Sequence, residues 1–178
     1  MTPELEDAMR CEILSAKADG DSVGGVIRCV ASGLPAGLGE PFFDTLDGEI
    51  AKAVFAVPGV KGIEFGAGFA ASAMRGSENN DSYRMADGAV RTATNNAGGI
   101  LGGMANGAEL SFAVAFKPTP SIAKAQNSVD LFAGTDAELA VRGRHDPCIA
   151  PRGAVVVEAM TIFVIADLLI RGGFACRN

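Results

Sequence analysis

The segment 95–121 constrains the fold of this chain more than any other, because glycine-rich backbone leads directly into a strand with a fixed end. Four glycines lie between positions 98 and 103, where they permit backbone conformations closed to other residues and close approach of a ligand. Residues 109–116 are predicted to form a strand that ends at Lys117-Pro118-Thr119-Pro120-Ser121. The two prolines stop the ladder and stiffen the exit. A cation and two hydroxyls at a strand end predict a site for an anionic ligand.

Length and charge limit the classes of protein. The chain has 178 residues, of which 48% are hydrophobic, and this predicts one domain spanning residues 1–178 with a sizeable core. A net charge of -6 argues against general binding of nucleic acid or of an anionic membrane. The four cysteines are far apart in the sequence and form no CxxC pair, which indicates reduced thiols and no zinc site.

Neither the first residues nor the longest apolar run has the pattern of a membrane-targeting segment. The first residues are acidic where a signal peptide would be basic and then apolar. The apolar run 154–170 contains Glu158 and Asp167, so we interpret it as a buried helix and not as a membrane span.

Hydrophobic spacing predicts the order of elements. Helices are predicted at 2–17, 43–57 and 151–171, the last of them buried, and strands at 23–32, 61–65, 90–94 and 109–116. Residues 74–87 are predicted to form an exposed polar loop, and residues 122–132 are predicted to be a segment without strong periodicity that crosses the surface. Residues 136–141 are predicted to form a brief helical turn. This order favours an α+β layered domain with a sheet packed on helices.

Several polar residues leave two interpretations open. Arg144 suits bidentate contact with phosphate or carboxylate, and equally an ion pair with Asp146. Lys117 either binds a ligand or extends from a strand end into solvent. His145, the single histidine, is interpreted as a packed or capping residue because an adjacent carboxylate does not make a catalytic triad. Polar residues in 75–81 line a site or belong to a solvated loop.

Six motifs, in order and at matching spacing along essentially the whole chain, resemble the C-terminal half of chorismate synthase. They are GDSVGG at 20–25, GLGEP at 37–41, RGSENND at 75–81, NNAGGILGG at 95–103, KPTPSI at 117–122 and GRHDPC at 143–148.

The resemblance implies a β-α-β sandwich-type layered fold, present here in part, and a homotetramer. It implies the last step of the shikimate pathway, in which 5-enolpyruvylshikimate 3-phosphate loses phosphate and a ring proton by 1,4-anti elimination to give chorismate. The implied cofactor is reduced FMN, and the resemblance also implies an association of the enzyme with NADP. The implied location is the cytoplasm, or the plastid in a plant or alga.

The resemblance also assigns roles by motif. Asp146 is the acidic residue near flavin N5 that assists proton removal, and Arg144 contacts FMN. The remaining implied FMN contacts are Pro58, Gly59, Gly102, Lys117, Pro118, Thr119, Pro120 and Ser121.

Family chains are much longer, and the segment carrying the family's catalytic histidines has no counterpart in this sequence. We therefore expect this chain alone to be inactive, and expect exposed strand edges and apolar surface to invite association. Three hypotheses stay open: an enzyme segment that works with its missing half, an inactive FMN-binding or structural fragment, and a small module that binds phosphate ligands.

Overall fold

The computed structural model describes residues 2–174, so Cys176 lies outside the described residues. Within this range the helices are α1 Pro3–Ala18, α2 Leu46–Phe55, α3 Gly76–Asn79 and α4 Ala150–Arg171, with a 3-10 helix at Gly68–Ala73. The strands are β1 Gly25–Ala31, β2 Val60–Phe65, β3 Tyr83–Ala86, β4 Ala89–Thr92, β5 Ile100–Leu101, β6 Met104–Ala105, β7 Leu110–Phe116, β8 Gln126–Asp130 and β9 Thr135–Leu139. The prediction of an α+β fold is confirmed.

A three-stranded antiparallel sheet forms the centre, with β7 between β1 and β2. β7 alternates strictly, so every second side chain points to the same face and is buried there. Ile27 of β1 and Ile63 of β2 both lie opposite Val114, which extends this apolar face across all three strands. The buried side chains of β7 are Leu110, Phe112, Val114 and Phe116.

Two helices cover this face. Thr45 caps α2, since its Oγ1 accepts the backbone N–H of Gly48 at 3.2 Å, and the apolar stripe of α2 is Leu46, Ile50 and Val54. Along α4, the buried residues recur every three or four positions from Ala150 to Leu168. Sheet, α2 and α4 therefore share one hydrophobic core.

The prediction that α4 is buried is right for one face only. Val155, Ile162 and Phe163 on the outer face are 65%, 60% and 74% exposed. The helix is apolar nearly all round because both faces carry aliphatic residues, and the described chain covers just one of them. By length and composition α4 would also suit a bilayer, a test that core helices of soluble proteins pass as well.

Two predictions in the polar parts of the chain are wrong. Residues 83–92, assigned partly to a loop, form the β3–β4 hairpin, in which Asp87 and Gly88 at the turn have positive φ. Residues 126–139, assigned to a surface crossing and a helical turn, form the β8–β9 hairpin. Their Gln, Asn, Ser and Asp residues have little strand propensity, and cross-strand pairing decides the outcome.

Candidate functional site

Four loops meet at the end of the sheet where β7 finishes, and we call this region the loop junction (residues 19–24, 58–59, 117–124 and 141–149). The backbone N–H of Lys117 donates to the carbonyl of Gly59 at 2.9 Å. Ser22 Oγ donates to the carbonyl of Thr119 at 2.6 Å, and the N–H of Val23 donates to Pro147 at 2.8 Å. Residues far apart in sequence are thus held together by hydrogen bonds to backbone carbonyl groups.

The 117–121 segment presents cationic and hydroxyl groups at the loop junction. Lys117 is exposed, as are Pro118, Pro120 and Ser121. Thr119 is half-buried, and its Oγ1 is inaccessible to solvent without a hydrogen-bond partner among the described residues. An unpaired buried hydroxyl costs about 1–3 kcal/mol, so this atom is set to gain from a ligand that brings a hydrogen-bonding group.

The 141–149 segment fixes a carboxylate at the start of α4. Asp146 Oδ1 accepts the backbone N–H of Cys148 at 3.1 Å, and Oδ2 pairs with Arg152 at 2.5 Å. The open alternative of an Arg144–Asp146 pair is not realised, because the partner of Asp146 comes from the first turn of α4. Arg144 is exposed and has no carboxylate within 4 Å among residues 2–174.

His145 is a packed residue, as predicted. Its Nε2 lies 2.9 Å from the carbonyl oxygen of Val141, so the ring closes its own loop. Hydrogen bonding to the backbone gives it a structural role in this loop.

Two glycines at the loop junction allow neighbouring segments of the chain to pack closely. Gly59 has φ +92°, and a Cβ there would lie 2.6 Å from Cδ1 of Ile149. At Gly24 a Cβ would lie 2.5 Å from the carbonyl oxygen of Phe116. These positions bring the loops before β1 and β2 close to the end of β7.

Gly102 lies away from the loop junction. It occupies the β5–β6 turn with φ +59°, and the next residue, Gly103, accepts the N–H of Leu46 at 2.8 Å. This contact is at the N-terminus of α2, whereas Gly59 follows the C-terminus of the same helix. The two ends of α2 are roughly 15 Å apart, because an α-helix rises about 1.5 Å per residue. A Cβ at Gly102 would meet nothing within 4 Å, so its surroundings are open.

Asp81 organises the polar segment that the sequence left undecided. It is 7% exposed, and its carboxylate accepts hydrogen bonds from Thr94 Oγ1 at 2.6 Å and from the N–H groups of Asn96 and Ala97 at 2.7 and 2.8 Å. Burial raises the pKa of Asp81, but the hydrogen bonds lower it by more, so it lies below the ordinary value. Asp81 therefore holds RGSENND against NNAGGILGG.

Sequence reasoning gave no role to the ion pair that closes the loop junction. Lys124 Nζ lies 3.0 Å from Asp21 Oδ2. The backbone N–H of Ser22 and the ammonium of Lys124 lower the pKa of Asp21. A signal existed, since Asp21 lies within GDSVGG and Lys124 just after KPTPSI, but nothing in the sequence joins these motifs.

Comparison with known proteins decides the family. The sequence model of the family described as chorismate synthase matches residues 1–170. The chain belongs to the chorismate synthase family. Chorismate synthase from Dehalococcoides mccartyi is 56% identical over 165 residues, which cover 93% of this chain and 45% of the relative. The Methanosarcina mazei chorismate synthase is 52% identical over 172 residues, covering 97% and 47%.

A solved structure agrees with this membership. The crystal structure of a chorismate synthase superimposes with a TM-score of 0.76 at 31% identity, covering 96% of this chain and 44% of the other. The chain therefore spans about half the length of its chorismate synthase relatives, and it aligns with their C-terminal part.

Proposed function

We propose that this chain supplies the C-terminal part of a chorismate synthase, which eliminates phosphate from 5-enolpyruvylshikimate 3-phosphate with reduced FMN to give chorismate. The observation that carries the proposal is the convergence of KPTPSI and GRHDPC at the loop junction, since Lys117 and Arg144 provide cations there without described carboxylate partners. Substrate and FMN both carry phosphate, and charge-assisted hydrogen bonds to phosphate are among the strongest in proteins.

The loop junction fits FMN in its donor set. Thr119 Oγ1 is a buried hydroxyl without a described partner, and it lies two residues from the exposed Lys117. Bound reduced FMN would supply electron density as the phosphate leaves, without net redox change. Thr119 would donate its hydroxyl, and Lys117 would offset the negative charge of the bound anions.

Asp146 is proposed to assist removal of the ring proton of the substrate. Arg152 and the N–H of Cys148 hold its two oxygens, so the carboxylate is oriented before a ligand arrives. Each carboxylate oxygen keeps a further lone pair, which can accept a hydrogen bond from the group that carries the leaving proton. Asp146→Asn should therefore lower turnover at least tenfold while FMN affinity changes less than about threefold. An equal loss of rate and affinity would move Asp146 to a binding role.

The assembly that we propose is a homotetramer, located in the cytoplasm or, in a plant or alga, in the plastid, with NADP associated with flavin reduction. Further substrate contacts would come from the part that the longer relatives have outside the matched region. Complementation therefore tests the function directly.

The test mixes this chain with a separately expressed N-terminal part of the Dehalococcoides mccartyi relative. Chorismate formation from 5-enolpyruvylshikimate 3-phosphate is followed under anaerobic conditions with reduced FMN. We expect turnover in the mixture and none from either part alone. Absence of turnover in a mixture whose two parts bind each other would refute the proposal.

The second candidate is an inactive FMN-binding or structural fragment. The observation that supports it is that the match covers 45% of the relative. It predicts that the chain binds FMN, seen as quenched flavin fluorescence, while the mixture forms no chorismate. If no quenching occurs, the hypothesis that remains is a structural fragment that does not bind FMN.

A further inference from the structure

The first turn of α4 packs tightly against the central sheet at the loop junction. A Cβ at Gly25 would lie 2.7 Å from Cβ of Ala150, and a Cβ at Gly153 would lie 2.6 Å from Cζ of Phe116. Glycine at these two positions lets the start of the helix approach β1 and the end of β7 this closely. Side chains on this turn therefore project from a rigid support, unlike those on the loop that precedes it.

Arg152 belongs to this first turn, where a cation is electrostatically unfavourable. The N-terminus of a helix carries a partial positive charge, which repels a nearby guanidinium. Ile149 caps α4 without a side-chain hydrogen bond, and the first turn contains no acidic residue. The carboxylate that compensates Arg152 comes instead from the preceding loop, because Oδ2 of Asp146 lies 2.5 Å from Nη2 of Arg152.

The two oxygens of Asp146 have different partners. Oδ1 accepts the backbone N–H of Cys148 at 3.1 Å, whereas Oδ2 contacts Arg152. The side chain of Asp146 is 28% exposed, against 75% for Arg152. Because Asp146 is the more covered partner, a loss of Arg152 would leave a partly buried carboxylate without a cation, and such a charge favours a new partner.

Arg144 is the alternative partner of Asp146 on the same loop. It lies two residues before Asp146, and His145 between them holds the loop through the 2.9 Å contact of its Nε2 with the carbonyl oxygen of Val141. Arg144 is exposed, and no carboxylate of residues 2–174 lies within 4 Å of its guanidinium. Two arginines are thus candidates for one carboxylate, and the structure pairs it with Arg152.

We propose that Arg152 is a positioning residue, which occupies Asp146 and thereby keeps the guanidinium of Arg144 available to an anionic ligand. The choice of partner stands on the contacts above, whereas its importance for binding phosphate rests on the function proposed for the chain. When Arg152 is removed, Arg144 pairs with Asp146 and is withdrawn from the ligand.

The net charge of the pair explains why this separation matters. A guanidinium paired with a carboxylate attracts a phosphate less than a free one, because the two charges of the pair oppose each other. Pairing of Asp146 with Arg152 leaves the full charge on Arg144. The group proposed to assist proton removal and the group proposed to bind an anion are therefore kept apart.

Chemical labelling of Arg144 tests the choice of partner without any ligand. Phenylglyoxal modifies accessible guanidinium groups, and peptide mass mapping gives the rate at each arginine. We expect Arg152→Ala to slow labelling of Arg144 about three- to fivefold, which is the population shift that an exposed ion pair can produce. Adding Asp146→Asn to Arg152→Ala should restore the native rate to within about twofold, because the two substitutions act through one contact.

Two single variants serve as controls. Arg152→Lys keeps a positive charge in the first turn of α4, so the labelling rate of Arg144 should stay within about twofold of the native rate. Arg10→Ala removes an exposed arginine that also pairs with a carboxylate, Glu6 at 3.7 Å, but on α1. It should leave the labelling of Arg144 unchanged. If circular dichroism shows that Arg152→Ala does not fold, Arg152→Gln replaces it and must still slow the labelling.

Binding of oxidised FMN connects the pairing with the proposed function. In a fluorescence titration, the dissociation constant should be about three- to fivefold higher for Arg152→Ala and close to the native value for the double variant. A native chain that does not bind FMN would contradict the flavin site proposed for this chain, and the labelling rates would still decide the partner of Asp146.

Two results would overturn the proposal. One is a labelling rate of Arg144 that is unchanged in Arg152→Ala. The other is a double variant in which labelling stays slow, because the slowing would then come from a distorted loop and not from pairing with Asp146.

Discussion

Replacing Asp81 with asparagine removes a charge from the most completely hydrogen-bonded carboxylate of the described chain, without changing its size. Oδ1 accepts two hydrogen bonds and Oδ2 accepts one. An asparagine has one oxygen, so its NH2 group must face the N–H of Ala97 in the better of its two orientations.

The cost follows from these contacts. One hydrogen bond to a charged group is lost, the donor on Ala97 is left buried, and the two remaining bonds lose their charge assistance. Bonds to charged groups contribute about 1.5–3 kcal/mol each, so the free energy of unfolding should fall by roughly 2–4 kcal/mol. For a chain of 178 residues this lowers the Tm by about 4–16 °C.

The difference should also depend on pH. The pKa of Asp81 is lowered in the folded chain, so its contribution is fully present above the unfolded value of about 3.9 and is lost as the pH falls through the folded value. The gap between native chain and Asp81→Asn should therefore be constant from about pH 5 to 8 and should close in stronger acid.

The assay is thermal unfolding followed by circular dichroism at one fixed protein concentration, because self-association shifts Tm. Glu78→Gln is the matched control, since it makes the same chemical change at an exposed carboxylate that accepts the N–H of Arg75 at 2.9 Å. We expect it to cost less than about 1 kcal/mol. Equal Tm values for the two variants, or a gap that persists in strong acid, would refute the reasoning.

Lys117→Ala should raise the dissociation constant for oxidised FMN about tenfold, measured by fluorescence titration, because a cation at the loop junction is removed. Gly59→Ala should lower the free energy of unfolding by about 1–2 kcal/mol in a urea titration, since its φ of +92° disfavours a side chain. Burial raises the pKa of the Cys29 thiol, so iodoacetamide at pH 8 should modify the exposed Cys11 at least about tenfold faster, as peptide mapping would show.

Each of these has a counterpart on the same chain. Lys52→Ala, an exposed lysine on α2, should leave FMN affinity unchanged, and equal weakening would remove Lys117 from the site. Gly62→Ala places its Cβ in ordinary contact with Ala115 at 3.6 Å and should be nearly neutral. Equal alkylation rates at the two cysteines would show that the region around Cys29 opens freely.

Sequence periodicity predicted the elements that face the core and failed where burial gives no pattern. β7 and the inner face of α4 follow from alternating or helical spacing of apolar residues. The β8–β9 hairpin has no apolar period, because nearly all of it faces solvent. The Asp87-Gly88 pair in the turn of β3–β4 is a sequence pattern typical of a hairpin. The prediction of a loop followed the polar composition of residues 74–82 and extended it into this hairpin.

Local motifs located the candidate site, but they did not give its partners. KPTPSI was predicted as an anion site from a cation and hydroxyls beside two prolines, and Thr119 does have an unpaired buried hydroxyl. Pairing of Asp146 with Arg152, and not with Arg144, depends on the first turn of α4 folding back over the loop. Such a choice between two nearby arginines is a matter of three-dimensional geometry that the linear spacing does not contain.

The central position of β7 sets an order of events during synthesis. β1 and β2 pair with β7 and not with each other, yet β7 begins 79 residues after Ala31 and 45 residues after Phe65. At about 5–20 residues per second, a ribosome needs roughly 4–16 s after completing β1 before it begins β7. β2 is synthesised within that interval, so both outer strands precede their common partner, and the sheet can close only after Phe116 has been added.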